Sequence, residues 1–200
     1  MTKNNFSYQL FNWGPMLCKI KINAADLKKY TELCSKKTSS ANKNLAGLIK
    51  HQHEINLHEY GKLINPYIHI FYESFKQWCG VPPPAKIAIM KAWVNFMVAG
   101  EFNPPHIHTN CDFSSVLFIQ VPKELKEERK KFIGTGGGPG ALSFMHGGAQ
   151  NFSINHINLF PEEGDFFIFP STLTHFVSPF TSKGERISIG ANFKFALKRK

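Results

Sequence analysis

The spacing of apolar residues changes character near residue 85. Before it, apolar positions recur at helical intervals. ADLKKYTELCSKK (25–37) carries Leu27, Tyr30, Leu33 and Cys34 on one stripe. INPYIHIFYESFKQWCG (64–80) sets Ile68, Phe71, Tyr72, Phe75 and Trp78 at i, i+3, i+4, i+7 and i+10, then meets Gly80 and the prolines of VPPPA, which stop a helix. Between them NKNLAGLIKHQHEINL (42–57) reads as a weaker helix broken by Gly47. After residue 85 the chain turns β-branched and aromatic with partial alternation. KIAIMKAWVNFMV, SSVLFIQVP, ALSFMHGG, FSINHINLFP, GDFFIFP and RISIGANFKFAL are strand candidates separated by Gly, Pro, Asn and Asp. The expected class is α+β: a helical part over residues 1–84 packed on an antiparallel sandwich or barrel over 85–200, in one compact domain.

Composition narrows this only slightly. A hydrophobic fraction of 42% with nineteen phenylalanines and three tryptophans excludes disorder, because such a chain offsets its ordering entropy by burial. The N-terminal MTKNNFSYQLFNWG lacks the apolar stretch of a signal peptide, and no apolar run reaches the roughly 18 residues of a membrane span. Cys18, Cys34, Cys79 and Cys111 form no Cys-x-x-Cys pair and read as reduced thiols. A soluble cytoplasmic protein is expected, in the host cytoplasm if the source is viral, with no membrane partner. The formal charge of +10 sits largely in solvated runs: Lys28, Lys29, Lys36 and Lys37, KEERKK at 126–131, and the terminal KRK. It supports a basic face for an acidic target, or a nucleic-acid partner, only weakly.

The candidate chemistry lies in NPPHIHTNCD (103–112), where His106 and His108 are followed by Asp112. The spacing alone says little, since His51 and His53 repeat it. Context separates the copies. Alternate residues of an extended chain project to one side, so His106 and His108 past a strand can converge on one ion, whereas two residues apart in a helix diverge. A distant strand of the same barrel supplies a third ligand in His175, between GDFFIFP and RISIGANF. Arg186 and Ser188 follow, alternating onto one face, and offer a guanidinium fork and a hydroxyl to a carboxylate. Read separately, His175 is a core histidine, Arg186 a partner for Glu185 or Asp165, and Asp112 a turn cap; jointly they describe a metal site with a carboxylate clamp. Five glycines at 134, 136, 137, 138 and 140 follow a charged run rather than a strand, which is the wrong setting for a phosphate loop, and suggest a lid or linker.

This order of parts resembles the Fe(II)- and 2-oxoglutarate-dependent oxygenases, in particular the prolyl-4-hydroxylase-like branch and its small bacterial and phage members. Gly100 six residues before His106, then His175, then Arg186-Ile-Ser188 carry the resemblance over roughly 86–196, with Trp93–Asn95, Phe169–Ser171 and the helical LAGLIKHQHEI similar to the small phage type. The resemblance implies a double-stranded β-helix (jelly-roll, cupin-like) core. It further implies Fe(II) as metal and 2-oxoglutarate and O2 as co-substrates, with the distal carboxylate of 2-oxoglutarate on Arg186 and Ser188, and a hydroxylase acting on an unidentified substrate such as a protein side chain or an acidic molecule. One departure stands out: the family's carboxylate position is His108 here, and the nearest acid is Asp112. Three ligand sets are open: all three histidines, Asp112 in place of one of them, or all four residues. Three at a time leave three metal positions free, which 2-oxoglutarate and oxygen need. A cupin-like metal-containing binding module without oxygenase activity is the alternative function.

Overall fold

The computed structural model describes residues 14–36, 38–148 and 150–196. The N-terminal segment read for a signal peptide and the terminal KRK lie outside them. In chain order the elements are β1 (Cys18–Lys21), α1 (Ala24–Cys34), β2 (His51–Glu54), α2 (Leu57–Cys79), β3 (Lys86–Met97), β4 (Asn103–His106) and β5 (Phe113–Gln120). They continue with α3 (Lys123–Lys131), β6 (Leu142–Met145), β7 (His156–Leu159), β8 (Asp165–Pro170), β9 (Thr174–Val177) and β10 (Arg186–Ala196). The strands form a six-stranded sheet ordered β1-β8-β5-β10-β3-β2 and a four-stranded sheet ordered β4-β9-β6-β7, antiparallel throughout.

The period-2 rule decides which side chains meet the site. On the large sheet Leu117, Ile119, Phe166, Ile168, Ile189, Ala191 and Phe193 face one way and share a core with Tyr60, Ile64, Tyr67 and Phe71 of α2 and Tyr30 and Leu33 of α1. The alternate residues Met97, Phe118, Phe167 and Phe169 face the small sheet and pack with Leu142, Phe144 and Val177. Every central strand therefore has one face under helices and one face in the space between sheets, as a double-stranded β-helix requires. On the inner face of β10 the row Arg186, Ser188, Gly190 departs from this apolar rule.

Helix α2 begins where the Asn56 side chain accepts the amides of His58 and Glu59 and ends at Gly80, whose φ of 73° is the left-handed cap. It starts earlier than the expected 64–80 and tolerates Pro66 within it. Its stripe also drifts, leaving Trp78 half exposed.

One expectation fails and another is incomplete. The segment around His51 and His53 is not helical: it is strand β2, pairing with β3 at the sheet edge, with Gln52 turned inward and buried. With β1, it makes the N-terminal part a contributor to the sheet and not only a helical cover. The run KEERKK is likewise more than solvated charge. It belongs to α3, where Leu125 is fully buried and Glu128 accepts the backbone amides of Thr181 and Ser182.

Candidate active site

Strand β4 brings the first histidine into place. Gly100, at φ 81°, turns the chain out of β3 and donates to the Phe180 carbonyl, and the short strand that follows pairs with β9 so that His106 and His175 are direct partners. Beyond the strand, the His108 amide donates to the Ser171 carbonyl, which carries its ring back beside the other two. Ring centroids are 4.2 Å apart for His106–His175, 5.1 Å for His106–His108 and 5.2 Å for His108–His175. One nitrogen from each lies within 4.8 Å of the others.

The protonation of the rings suits metal binding. His106 Nδ1 lies 2.7 Å from the Pro104 carbonyl and His175 Nδ1 lies 2.9 Å from the Leu173 carbonyl. A carbonyl can only accept, so each Nδ1 carries the proton and each Nε2 presents a lone pair. Burial, helped by the neighbouring His106, pushes His108 down to about 4 and His175 to about 3, so both are neutral imidazoles at ordinary pH. Phe144 and Phe169 pack against His175, and the Trp93 ring stands 5.7 Å from that of His108.

Asp112 does not join the cluster. Its carboxylate accepts the Phe195 amide at the end of β10, its own amide donates to the Phe193 carbonyl, and its carbonyl accepts the Ser171 amide. It ties the loop after His108 to β10 and to the turn before β9. The described residues therefore offer three histidines and no carboxylate at this point.

Arg186 and Ser188 lie on the inner face of β10, opposite Met97 and Asn95 of β3. Arg186 is only 2% exposed and has no carboxylate partner among the described residues; Asp165 is instead paired with Lys19 and Lys21. The guanidinium donates to the Gly140 carbonyl (3.1 Å) and approaches the Met97 sulfur (2.9 Å) and the Phe118 ring, while its Nε finds no partner. Burial and the nearby Arg129 push it down to about 9, and it remains a cation at neutral pH. A buried, unpaired guanidinium is costly unless an anion accompanies it, so the site is built to receive one.

Beside it runs a polar ladder that reading the sequence missed. Gln52 Nε2 donates to Asn95 Oδ1 (2.7 Å), and Asn95 Nδ2 donates to Ser188 Oγ (3.4 Å), linking β2, β3 and β10 through three buried side chains. Because Ser188 Oγ accepts from Asn95, its own proton is free to be donated. Two residues further along β10, Gly190 lies under Trp93: an added Cβ would fall 2.5 Å from the indole. The ladder and the indole open into a cavity of about 260 Å³ lined by Gln52, Lys91, Trp93, Asn103, His106, His108 and Asn192, with no acidic side chain.

The donor set fits Fe(II): neutral imidazoles suit that ion, and three of them leave positions for a chelating co-substrate and oxygen. The Gly-rich segment supplies the carbonyl that Arg186 meets, at Gly140, with Gly138 and Gly140 buried and Gly134–Gly136 exposed.

Comparison with known proteins agrees with this geometry. The family described as "Putative 2OG-Fe(II) oxygenase" matches residues 91–192, which hold the three histidines, Arg186 and Ser188. No curated protein matches the chain. Among solved structures, a Pseudomonas putida prolyl-4-hydroxylase aligns with a TM-score of 0.56 at 12% identity, covering 90% of this chain and 92% of that one. A viral collagen prolyl hydroxylase from Paramecium bursaria Chlorella virus-1, in complex with 2-oxoglutarate, aligns at 0.55 and 14%, covering 88% and 94%. A Trichoplax adhaerens prolyl hydroxylase bound to a peptide of hypoxia inducible factor aligns at 0.55 and 14%, covering 92% and 87%. These likenesses carry the fold, and the family match over more than half of the chain carries the activity: the protein belongs to the 2-oxoglutarate- and Fe(II)-dependent oxygenases.

Proposed function

We propose that His106, His108 and His175 together hold the Fe(II) through one ring nitrogen each, and that Arg186 and Ser188 take the distal carboxylate of 2-oxoglutarate. The observation that carries this reading is the pairing of a three-histidine cluster within 4.8 Å, on the small sheet and the loop beyond it, with a guanidinium buried on the inner face of the large sheet that has no carboxylate partner among the described residues. Iron bound here, with 2-oxoglutarate and O2, supplies the oxidative chemistry: the substrate C–H becomes C–OH while 2-oxoglutarate becomes succinate and CO2.

This chain's own residues do the rest. Pro104 and Leu173 carbonyls fix the tautomers of His106 and His175, and Phe144 and Phe169 limit water around His175. Replacing the family's carboxylate by His108 leaves three neutral ligands, so the doubly charged ion is not neutralised by protein. A dicarboxylate co-substrate with one end at the metal and one at Arg186 supplies the missing negative charge. Asp112 serves the loop, not the metal.

For the substrate we propose a polar molecule or side chain carrying an acidic group, since the mouth presents Lys91 and three amides and no carboxylate. No helix among the described residues is long and apolar enough to cross a membrane, and the four cysteines are free. The test is oxygen-dependent succinate formation from 2-oxoglutarate with Fe(II). It is expected in the wild type and lost in His175→Ala and Arg186→Ala. A protein that binds metal but shows no affinity for 2-oxoglutarate would instead be the cupin-like binding module.

A further inference from the structure

Arg186 shares a backbone acceptor with a second arginine from outside the β-helix. Arg129, on the helix α3 between β5 and β6, spreads its guanidinium over three backbone carbonyls: Nε donates to Pro139 (3.1 Å), Nη1 to Pro161 (3.2 Å) and Nη2 to Gly140 (3.3 Å). Its plane lies over Phe160. The Gly140 carbonyl is the acceptor it shares with Arg186, which donates Nη1 to the same oxygen at 3.1 Å. Two lone pairs serve two guanidinium groups, and no side chain mediates between them.

The backbone at this oxygen leaves little choice of position. Gly140 has φ 63°, its amide donates to the Pro179 carbonyl, and Leu125 of α3 fills the space where a Cβ would lie, 2.9 Å away. Among the described residues Arg186 has only one other polar approach, the Met97 sulfur, a weak acceptor. The Gly140 carbonyl is thus the strong contact that sets the tilt of the Arg186 fork, and Arg129 is the other side chain bonded to that carbonyl.

We propose that Arg129 is a positioning residue for the co-substrate clamp: through the Gly140 carbonyl it fixes the Arg186 guanidinium in the orientation that receives the distal carboxylate of 2-oxoglutarate. This rests on the assignment of Arg186 to that carboxylate. It gives α3 and the buried end of the glycine-rich segment a role in co-substrate affinity, although neither touches the metal.

The test compares two 2-oxo acids on Mn(II)-loaded protein by calorimetry. 2-Oxoglutarate uses the clamp; 2-oxobutyrate chelates the metal equally but has no distal carboxylate. In Arg129→Met the affinity for 2-oxoglutarate is expected to fall about tenfold, as loss of one orienting contact gives, while 2-oxobutyrate binds as it does to the wild type. Arg129→Lys, which keeps the charge and one donor, gives a smaller loss and stands in should the Met variant fail to fold. If both acids weaken together, Arg129 merely stabilises the fold, and if neither weakens, Gly140 holds its place without it; either result overturns the proposal. A wild type that takes 2-oxoglutarate no better than 2-oxobutyrate would refute the clamp assignment itself, a failure distinct from that of Arg129.

Discussion

His106 and His175 face each other as register partners across the β4–β9 ladder, ring centroids 4.2 Å apart, each with its Nδ1 proton committed to a backbone carbonyl two residues earlier. Neither ring can turn away without breaking that bond. His106→Ala or His175→Ala is therefore expected to weaken Mn(II) binding by about a hundredfold or more, as loss of one of three ligands gives. Asp112→Ala should leave it within about twofold while lowering stability by about 1 kcal/mol, because the Phe195 amide loses its acceptor. Electron paramagnetic resonance titration and thermal unfolding check the two halves. Equal loss of metal in Asp112→Ala would put the carboxylate back among the ligands.

Arg186 separates function from stability. Its charge is buried with no carboxylate partner among the described residues, so Arg186→Met, close in volume, removes a desolvation cost and keeps the packing on Phe118. The variant is expected to be as stable as the wild type or more so, by up to about 2 kcal/mol, and to bind 2-oxoglutarate no better than 2-oxobutyrate. Thermal unfolding in the absence of ligand is the measurement. A marked loss of stability would mean that the guanidinium serves the fold.

The parts legible in the sequence were those written in spacing. Gly100 before His106, and Arg186 two before Ser188 on a strand, are local patterns, and the β-branched and aromatic runs of β3, β5, β8 and β10, broken by Gly, Pro and Asp, made the sheet readable. His108 against Asp112 was left open because the choice depends on where the loop after β4 folds. That fold is set by long-range backbone bonds from His108 to Ser171 and from Asp112 to Phe193. Strand β2 was hidden because HQHE has no apolar residue, so its edge pairing with β3 left no hydrophobic period, and Gln52 went unseen with it. The role of Gly140 is exerted by a carbonyl, which every residue has.

Acid should unfold the metal-free protein through its own ligands. Histidine in an unfolded chain titrates near 6.5, while burial holds His108 near 4 and His175 near 3. Below pH 6.5 the unfolded state therefore takes up protons that the folded state refuses, and stability, full above 6.5, is lost as pH falls toward these lower values. A loss on the order of 2–4 kcal/mol between pH 6.5 and 4 is expected, and His175→Gln should flatten the slope. Denaturant unfolding of metal-free protein at stepped pH measures it. A pH-independent midpoint over that window would contradict the burial of neutral rings.

Gly190 tests the mouth of the site. A methyl group there would meet the Trp93 ring at 2.5 Å, from within a strand that is fixed on both sides by β3 and β5. Gly190→Ala is expected to push the indole toward His108, to cost about 1–3 kcal/mol as overpacking does, and to alter Trp fluorescence. An unchanged spectrum and melting temperature would mean that Trp93 does not lie across the strand as described.

The most direct test of the central claim is an anaerobic titration of the Fe(II)-loaded protein with 2-oxoglutarate, following the visible charge-transfer absorption of the chelate. The prediction is a saturable band at one equivalent of co-substrate in the wild type and in Asp112→Ala, a band that needs at least about tenfold more co-substrate in Arg186→Met, and none in His108→Ala. A full band in His108→Ala, or none in the wild type, would contradict the account.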